Sequence, residues 1–268
     1  MAEESELRPS LESLLESENL GLEILHPGGT DTTRELAELC NIAEGHKVLD
    51  VASGTGESAC FIGNEFRCGV VGVDRSTSMI TRARTKASRR SLPIEFLQGD
   101  AHYLPFGDNN FDAVLSECTL CLLDKERAIR EMVRVAKPGG RVGIHDICWR
   151  ENAPEHLKTR LAEIEGERPE TLEGWQRLFE QAGLLDVMAV DKSAVIAEWD
   201  QSIRKELGVV GEAKVFLKAF RKWGIRGLWR VNQSARIFQD RHTGYGIIVG
   251  KKPEGIKNFS NLESHLGI

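Results

Sequence analysis

Val48-Leu49-Asp50-Val51-Ala52-Ser53-Gly54-Thr55-Gly56-Glu57-Ser58-Ala59 is the stretch that decides how the rest of the chain reads. Residues 48–51 have the apolar character of a buried parallel strand, and Gly54 and Gly56 permit a tight turn. Glu57 then opens a helix continued by Ala59, Cys60, Phe61 and Ile62. A strand, a glycine turn and a helix in that order let an anionic or hydroxyl-rich nucleoside group approach backbone N–H groups at the positive end of the helix. The spacing Gly54-x-Gly56-x-x-Ala59 also fits a dinucleotide fingerprint, so the glycines alone leave the cofactor open.

Two further apolar runs follow. Residues 70–73 end in Asp74, where a crevice over the carboxyl ends of parallel strands is expected, and a carboxylate there accepts both hydroxyls of a ribose. Residues 94–97 lead into Gly99-Asp100-Ala101, whose Asp100 either accepts from an adenine amino group or fixes the backbone around it. The alternative for both acids is helix capping, although Ser76 already fills that role after Asp74.

With these motifs in order, the chain resembles the class I S-adenosylmethionine-dependent methyltransferases over about residues 36–190, and again at 244–251. The resemblance implies an acid and glycines at the first strand (Asp50, Gly54, Gly56), a ribose ligand at Asp74 followed by Arg75, and a methionine near the adenine at Met79. It implies a third-strand acid at Asp100 beside Ala101, and it extends to Leu104-Pro105-Phe106 and to the run from Arg130 through Lys137-Pro138-Gly139-Gly140. Ala52-Ser53 stands where many members have Gly-Cys, and both side chains are small enough for the cofactor to pass. The implied fold is α/β, a Rossmann-like seven-stranded, mostly parallel sheet with flanking helices and a helical cap insertion. The implied cofactor is S-adenosyl-L-methionine, and the implied partner is a small-molecule methyl acceptor.

Composition narrows the function further. The chain has 268 residues, 41% of them apolar, and a formal charge of -6 from 35 basic and 41 acidic side chains. Broad nucleic-acid binding is disfavoured, and neither a secretory signal nor an 18-residue apolar span is found, so a cytoplasmic protein without membrane segments is expected. Oligomeric state is left open between monomer and homodimer. Six cysteines are too sparse for a secreted disulfide scaffold; Cys40, Cys60 and Cys68 fall in buried patterns, whereas Cys118 and Cys121 follow a strand end.

The expected organisation is an N-terminal helical lid (1–35), a cofactor-binding core (36–196), a helical cap (197–243), the final strand (244–252) and a tail (253–268). Leu7, Leu11, Leu14 and Leu15 recur at helical spacing; His26-Pro27-Gly28-Gly29-Thr30 makes a turn, and Asp31 or Thr32 is positioned to cap the next helix. In the resemblance, His26 and the glycine pair contact the methionine end of the cofactor or the substrate; a rigid turn with an incidental histidine fits as well. Arg82, Arg84, Lys86, Arg89 and Arg90 read as the solvated face of a crossover helix. In the cap, Phe216, Phe220, Trp223, Ile225 and Trp229 read as inward core, with Lys218, Arg221, Lys222 and Arg226 solvated.

The fourth strand, residues 111–115, leads into Glu117, Cys118 and Cys121, and the fifth, 141–144, into His145, Asp146 and Cys148. Glu117, Cys118 and His145 are the catalytic candidates, Glu117 also lying against the cofactor; Asp146 and His242 are further candidates beside them. No resident metal is expected. The Ser116-Glu117-Cys118 run is similar to arsenite methyltransferases, which implies soft thiolate ligation by Cys118 with Cys40 and Cys148. A nicotinamide-dependent oxidoreductase and a noncatalytic nucleotide-binding protein are the remaining alternatives.

Overall fold

The computed structural model describes residues 26–254; the expected amphipathic segment near residues 7–20, most of the expected lid and the end of the tail lie outside the described residues. In the longest helix, the side chains of residues 197–207, 209–212, 214, 215, 218 and 219 are likewise outside them. The chain runs α1 (Gly29–Leu39), β1 (Lys47–Val51), α2 (Glu57–Phe66), β2 (Gly69–Asp74), α3 (Thr77–Arg89), β3 (Glu95–Gln98) and β4 (Phe111–Glu117). It continues with α4 (Lys125–Val135), β5 (Ala136–Trp149), α5 (Glu155–Ile164), β6 (Glu170–Thr171), α6 (Leu172–Gln181), β7 (Leu185–Asp191), α7 (Val195–Phe238) and β8 (Thr243–Lys251).

Seven strands form one sheet in the order β3-β2-β1-β4-β5-β8-β7, and the two-residue β6 adds an eighth against the end of β5. All pairings are parallel except those of β8 with β5 and β7. Side chains alternate across each strand, so successive residues serve opposite layers. Val48, Val70, Phe96, Ala113 and Leu115 pack under α1, α2 and α3, while Leu49, Val51, Val114 and Ile144 pack against Ile129, Met132, Trp175 and Phe179 of α4 and α6. Burial on both faces explains why the strands read as near-continuous apolar runs. Trp175 is fully buried and places its indole N–H on the Ile147 carbonyl at 3.1 Å, satisfying its polar edge.

Local chemistry starts the helices. Ser76, Asp124 and Thr171 accept from Met79, Arg127 and Gly174 backbone N–H groups at the starts of α3, α4 and α6. Helix α1 corrects the expected cap: it begins at Gly29, before Asp31 and Thr32, because Gly28 takes the left-handed conformation and the Thr32 hydroxyl instead lies 2.9 Å from the Pro27 and Gly29 carbonyls. The basic face of α3 is also less free than expected. Lys86 and Arg90 pair with Glu57 at 2.6 and 2.7 Å, clamping α3 to the start of α2, and Arg84 donates to the Phe96 carbonyl.

Lys137-Pro138-Gly139-Gly140 falls within the span of the 14-residue β5 yet makes the turn into its main ladder: β4 pairs with Ala136 and next with Arg141, the four residues between have no β4 partner, and Gly139 is left-handed at φ 79°. A further correction concerns α7. In α7, backbone breaks at Gly208 and Gly224 interrupt the helix, and Phe216, Ile225 and Trp229 are 61%, 76% and 52% exposed rather than inward core. Both ends are tied down among the described side chains: Ile196 packs against the core, and at the C-terminal end Arg230 donates to the Glu163 and Ile164 carbonyls, Trp229 stacks on Arg160, and Ile237 is buried. Both ends of this insertion leave the carboxyl edge of the parallel strands, at Asp191 and at Thr243 opposite Trp149.

Candidate active site

The turn after β1 is built from left-handed residues, Ala52 at φ 61°, Gly54 at φ 49° and Gly56 at φ 76°. Its N–H groups are organised by the neighbouring strand: Ser53 N donates to the Val73 carbonyl, and Gly54 N donates to Asp74 Oδ2 at 2.9 Å. Asp74 Oδ1 accepts from Ser76 N at 2.8 Å, so this carboxylate joins the two strand ends. A Cβ added at Gly54 would meet nothing within 4 Å, whereas one at Gly56 would lie 2.6 Å from Phe96 and 2.8 Å from Ala83. Gly54 therefore faces open space, and Gly56 is required by core packing. Beneath the turn, Asp50 is buried with Oδ2 unpartnered, and its carboxyl is pushed up to about 8 by burial first and by Glu117 and Asp74 next.

The other expected nucleoside residues lie along this edge. Met79 is half-buried in the first turn of α3, and the exposed Arg75 holds Gln98 through its carbonyl. Ala101 packs against the apolar layer. Asp100 is exposed, and its Oδ1 accepts from both the backbone N–H and the ring Nδ1 of His102 at 2.9 and 2.7 Å. Its slight burial raises the carboxyl, but those hydrogen bonds and the charges of His102 and Arg127 outweigh this and hold it below its ordinary range.

The end of β4 carries the densest polar group. Glu117 and its register partner His145 on β5 point to the α1 side of the sheet, where His26 and Thr33 meet them. Thr33 Oγ1 is 3.1 Å from both carboxylate oxygens, His26 Nε2 is 3.6 Å from Oε2, and His145 Nδ1 is 3.8 Å from Oε1. The two imidazoles stand edge to face at 5.7 Å, and the Tyr245 ring lies 5.6 Å from His145 on its other side. His145 is fully buried and neither ring nitrogen has a hydrogen-bond partner; burial first, then the charges of His26 and Lys192, drive its pKa well down, so its imidazole is neutral. Cys118 enters the following turn in a left-handed conformation, its N–H on the His145 carbonyl at 2.7 Å.

Residues 49–144, from β1 into β5, match the family model for a methyltransferase domain. The fold matches the crystal structure of the [4+2]-cyclase SpnF with a TM-score of 0.76 and 25% identity, over 91% of this chain and 93% of that one. It also matches phosphoethanolamine N-methyltransferase 2 of Haemonchus contortus, crystallised with S-adenosyl-L-methionine, with a TM-score of 0.75 and 20% identity, over 90% and 57% of the two chains. The chain belongs to the class I S-adenosylmethionine-dependent methyltransferase fold family. Among curated relatives of this methyltransferase family, phosphoethanolamine N-methyltransferase 1 of Arabidopsis thaliana is 32% identical over 197 residues, which is 73% of this chain and 40% of that protein. The chain spans 33% to 40% of the length of the first three such relatives it matches.

The methyltransferase fold gives the open side of Gly54 its meaning. The open space beside Gly54, and the unpartnered buried oxygens of Asp50 and Ser53, fit a hydroxyl-rich nucleoside cofactor of the family's kind. The cysteines fit the arsenite alternative poorly. Cys40 packs in the layer under α1 and Cys148 in the opposite layer, and among the described residues the cluster of three potential ligands is His26, Glu117 and His145, without a thiol. Burial pushes the Cys148 thiol up to about 12, far from a ready thiolate. Asp146 turns away from the cluster and accepts from Ile147 N and Cys121 N, while His242 is held by Asp240 at 2.7 Å. Thr33 and Tyr245 escaped the sequence reading because each acts across the fold; the helical spacing of Thr33 with Ala37 was the available signal for the former.

Proposed function

We propose that this chain transfers a methyl group from S-adenosylmethionine to a small-molecule nucleophile seated over the ends of β4 and β5. The observation that carries the reading is the adjacency of two unlike halves on one sheet edge. An open glycine turn anchored on Asp74 lies at the ends of β1 and β2, and a polar pocket of Glu117, His26, Thr33 and His145 lies at the next strands. The cofactor, when bound, supplies an electrophilic methyl on a sulfonium. Asp74 would take the ribose hydroxyls, with Asp50, Ala52, Gly54, Gly56, Arg75, Met79, Asp100 and Ala101 around the nucleoside. Glu117, His145 and His26 would hold the polar hydrogen of the acceptor and fix its lone pair toward the methyl carbon. Cys118 sits beside this pocket and would line the acceptor side. Residues 197–243 would act as a cap at the carboxyl edge, and residues 1–35 as a lid.

A second reading follows from the 25% identity to a [4+2]-cyclase over nearly its whole length: the same pocket would orient a substrate for ring closure without passing on a methyl group. Among the described residues no helix is long and apolar enough to cross a membrane. The six thiols, none of them in a disulfide, support a cytoplasmic setting. Incubating the full chain with methyl-labelled cofactor and a metabolite extract tests the proposal. A labelled small molecule supports methyl transfer; a substrate consumed without incorporation of label supports the second reading; label in protein or nucleic acid rejects a small-molecule acceptor.

A further inference from the structure

His26, Glu117 and His145 each direct one donor atom into a common space, and these atoms all lie within 4.8 Å of one another. Four donors placed about 2.1 Å from a tetrahedral zinc ion stand roughly 3.4 Å apart along each edge. His26 Nε2 stands 3.6 Å from Glu117 Oε2 and His145 Nδ1 stands 3.8 Å from Glu117 Oε1, so the two imidazoles face different oxygens of one carboxylate, and with one oxygen serving as ligand the three donors need to close from within 4.8 Å toward that spacing. Ring rotation of the two histidines, which face each other edge to face, is the remaining adjustment.

Three other observations point to a ligand rather than a self-contained polar knot. His145 is fully buried with both ring nitrogens unpartnered, although buried polar atoms almost always find a hydrogen bond. Thr33 Oγ1 donates to the Glu117 carboxylate at 3.1 Å and also lies 3.4 Å from His26 Nε2, so one hydroxyl fixes two of the three ligand side chains. The charge of Lys192, which reaches His145, is balanced by Glu35 at 2.6 Å.

We infer that His26, Glu117 and His145 form a binding site for one divalent transition-metal cation of the zinc, cobalt or ferrous class, with an open position for an oxygen or nitrogen of the methyl acceptor. Two imidazole nitrogens and one carboxylate favour such ions over magnesium or calcium, which prefer all-oxygen sites. The ion site stands on its own geometry; only its role toward the acceptor rests on the proposed methyl transfer. There it makes Glu117 a metal ligand that positions the acceptor.

The test uses the full chain freed of metal by chelation, then titrated with Co²⁺ in an absorption cell. The expected result is one Co²⁺ per chain with visible ligand-field bands, displaced by Zn²⁺ and unaffected by excess Mg²⁺. Because loss of an orienting neighbour alone weakens metal binding roughly 10- to 100-fold, Glu117→Gln and His26→Asn should each weaken Co²⁺ at least roughly 10-fold. Circular dichroism and thermal melting of the same samples report that the variants are folded. If His145→Asn fails to fold, the other two variants still decide. Absence of Co²⁺ binding, or binding equally tight in Glu117→Gln and His26→Asn, overturns the site. Methyl transfer that persists in chelator together with absent Co²⁺ binding overturns the site alone, whereas tight, variant-sensitive Co²⁺ binding in a chain that transfers no methyl group upholds the site and rejects the methyl-transfer reading.

Discussion

Thr33 Oγ1 stands 3.1 Å from each carboxylate oxygen of Glu117, joining the first turns of α1 to the end of β4 across 84 residues of sequence. Removing a donor from a buried carboxylate is expected to cost about 1–3 kcal/mol, so Thr33→Val should lower the urea midpoint accordingly. Pairing it with Glu117→Gln should cost less than the two single changes together. Strict additivity in that double-mutant cycle would show that the contact carries no energy.

Gly54 and Gly56 should fail in different ways. Gly54→Ala meets no protein atom within 4 Å, so its unfolding free energy should fall by only about 1–2 kcal/mol, from the left-handed backbone, while cofactor affinity collapses. Gly56→Ala would press on Phe96 and Ala83 and should lose about 2–4 kcal/mol of stability. Thermal melts with and without S-adenosylhomocysteine separate the two, and equal melting losses would refute the assignment of Gly54 to the ligand side.

Asp74 is already accepting from Gly54 N and Ser76 N, so its substitution affects both the turn and the ribose. Asp74→Ala is expected to weaken S-adenosylmethionine by about 1.5–3 kcal/mol, roughly 10- to 100-fold in Kd. Calorimetry should show the same loss for adenosine, because the missing contact lies on the nucleoside; a loss confined to the methionine end would contradict it.

Ala52 is held at φ 61°, a conformation that is unfavourable for a side chain by roughly 1–2 kcal/mol and natural for glycine. Part of the relief is offset by roughly 0.4–1 kcal/mol of added freedom in the unfolded chain. Ala52→Gly should therefore raise stability by about 0.5–1 kcal/mol, and a lower denaturation midpoint would show that the methyl group packs favourably there.

Buried Asp50 titrates near 8 in the folded chain, well above an ordinary aspartate, so the folded state holds the proton more tightly than the unfolded one. Its contribution to stability is full below about pH 4 and is lost as the pH rises toward 8. The difference in melting temperature between Asp50→Asn and the parent should grow in favour of the variant across that window. Asp146, pushed up to about 6 mainly by burial, adds a slope of the same sign below pH 6 that remains in the variant. A difference that does not change between pH 5 and 8 would remove Asp50 as the cause.

The nucleotide half was legible because its information is local. Residues 48–59 hold strand, turn and helix start in twelve consecutive positions, and parallel strands buried on both faces announce themselves as apolar runs. Glu117 and His145 were legible for a related reason, since strand ends in such a sheet converge on one edge. Thr33 and Tyr245 were not, because neither its neighbours in sequence nor its type distinguishes a residue whose partner lies on another element. The turn before the main β5 ladder was legible too, because Pro138, Gly139 and Gly140 carry turn chemistry and Gly139 takes φ 79°. The aromatic residues of α7 misled because helical spacing identifies a shared face without saying whether anything covers it.

The position of β8 has a consequence for how the protein is made. It lies between β5 and β7, pairing with nine residues of β5 from Arg141 to Trp149. During synthesis, the five strands from β3 to β5 can assemble early, but one long, apolar margin of β5 stays without a partner while α7 is being translated. Until residues 243–251 emerge, β7 has no strand to pair with, and that margin is open to strands of neighbouring nascent chains. Closing the seam is thus the last event in building the acceptor pocket, and the step at which a chaperone would have the most to protect.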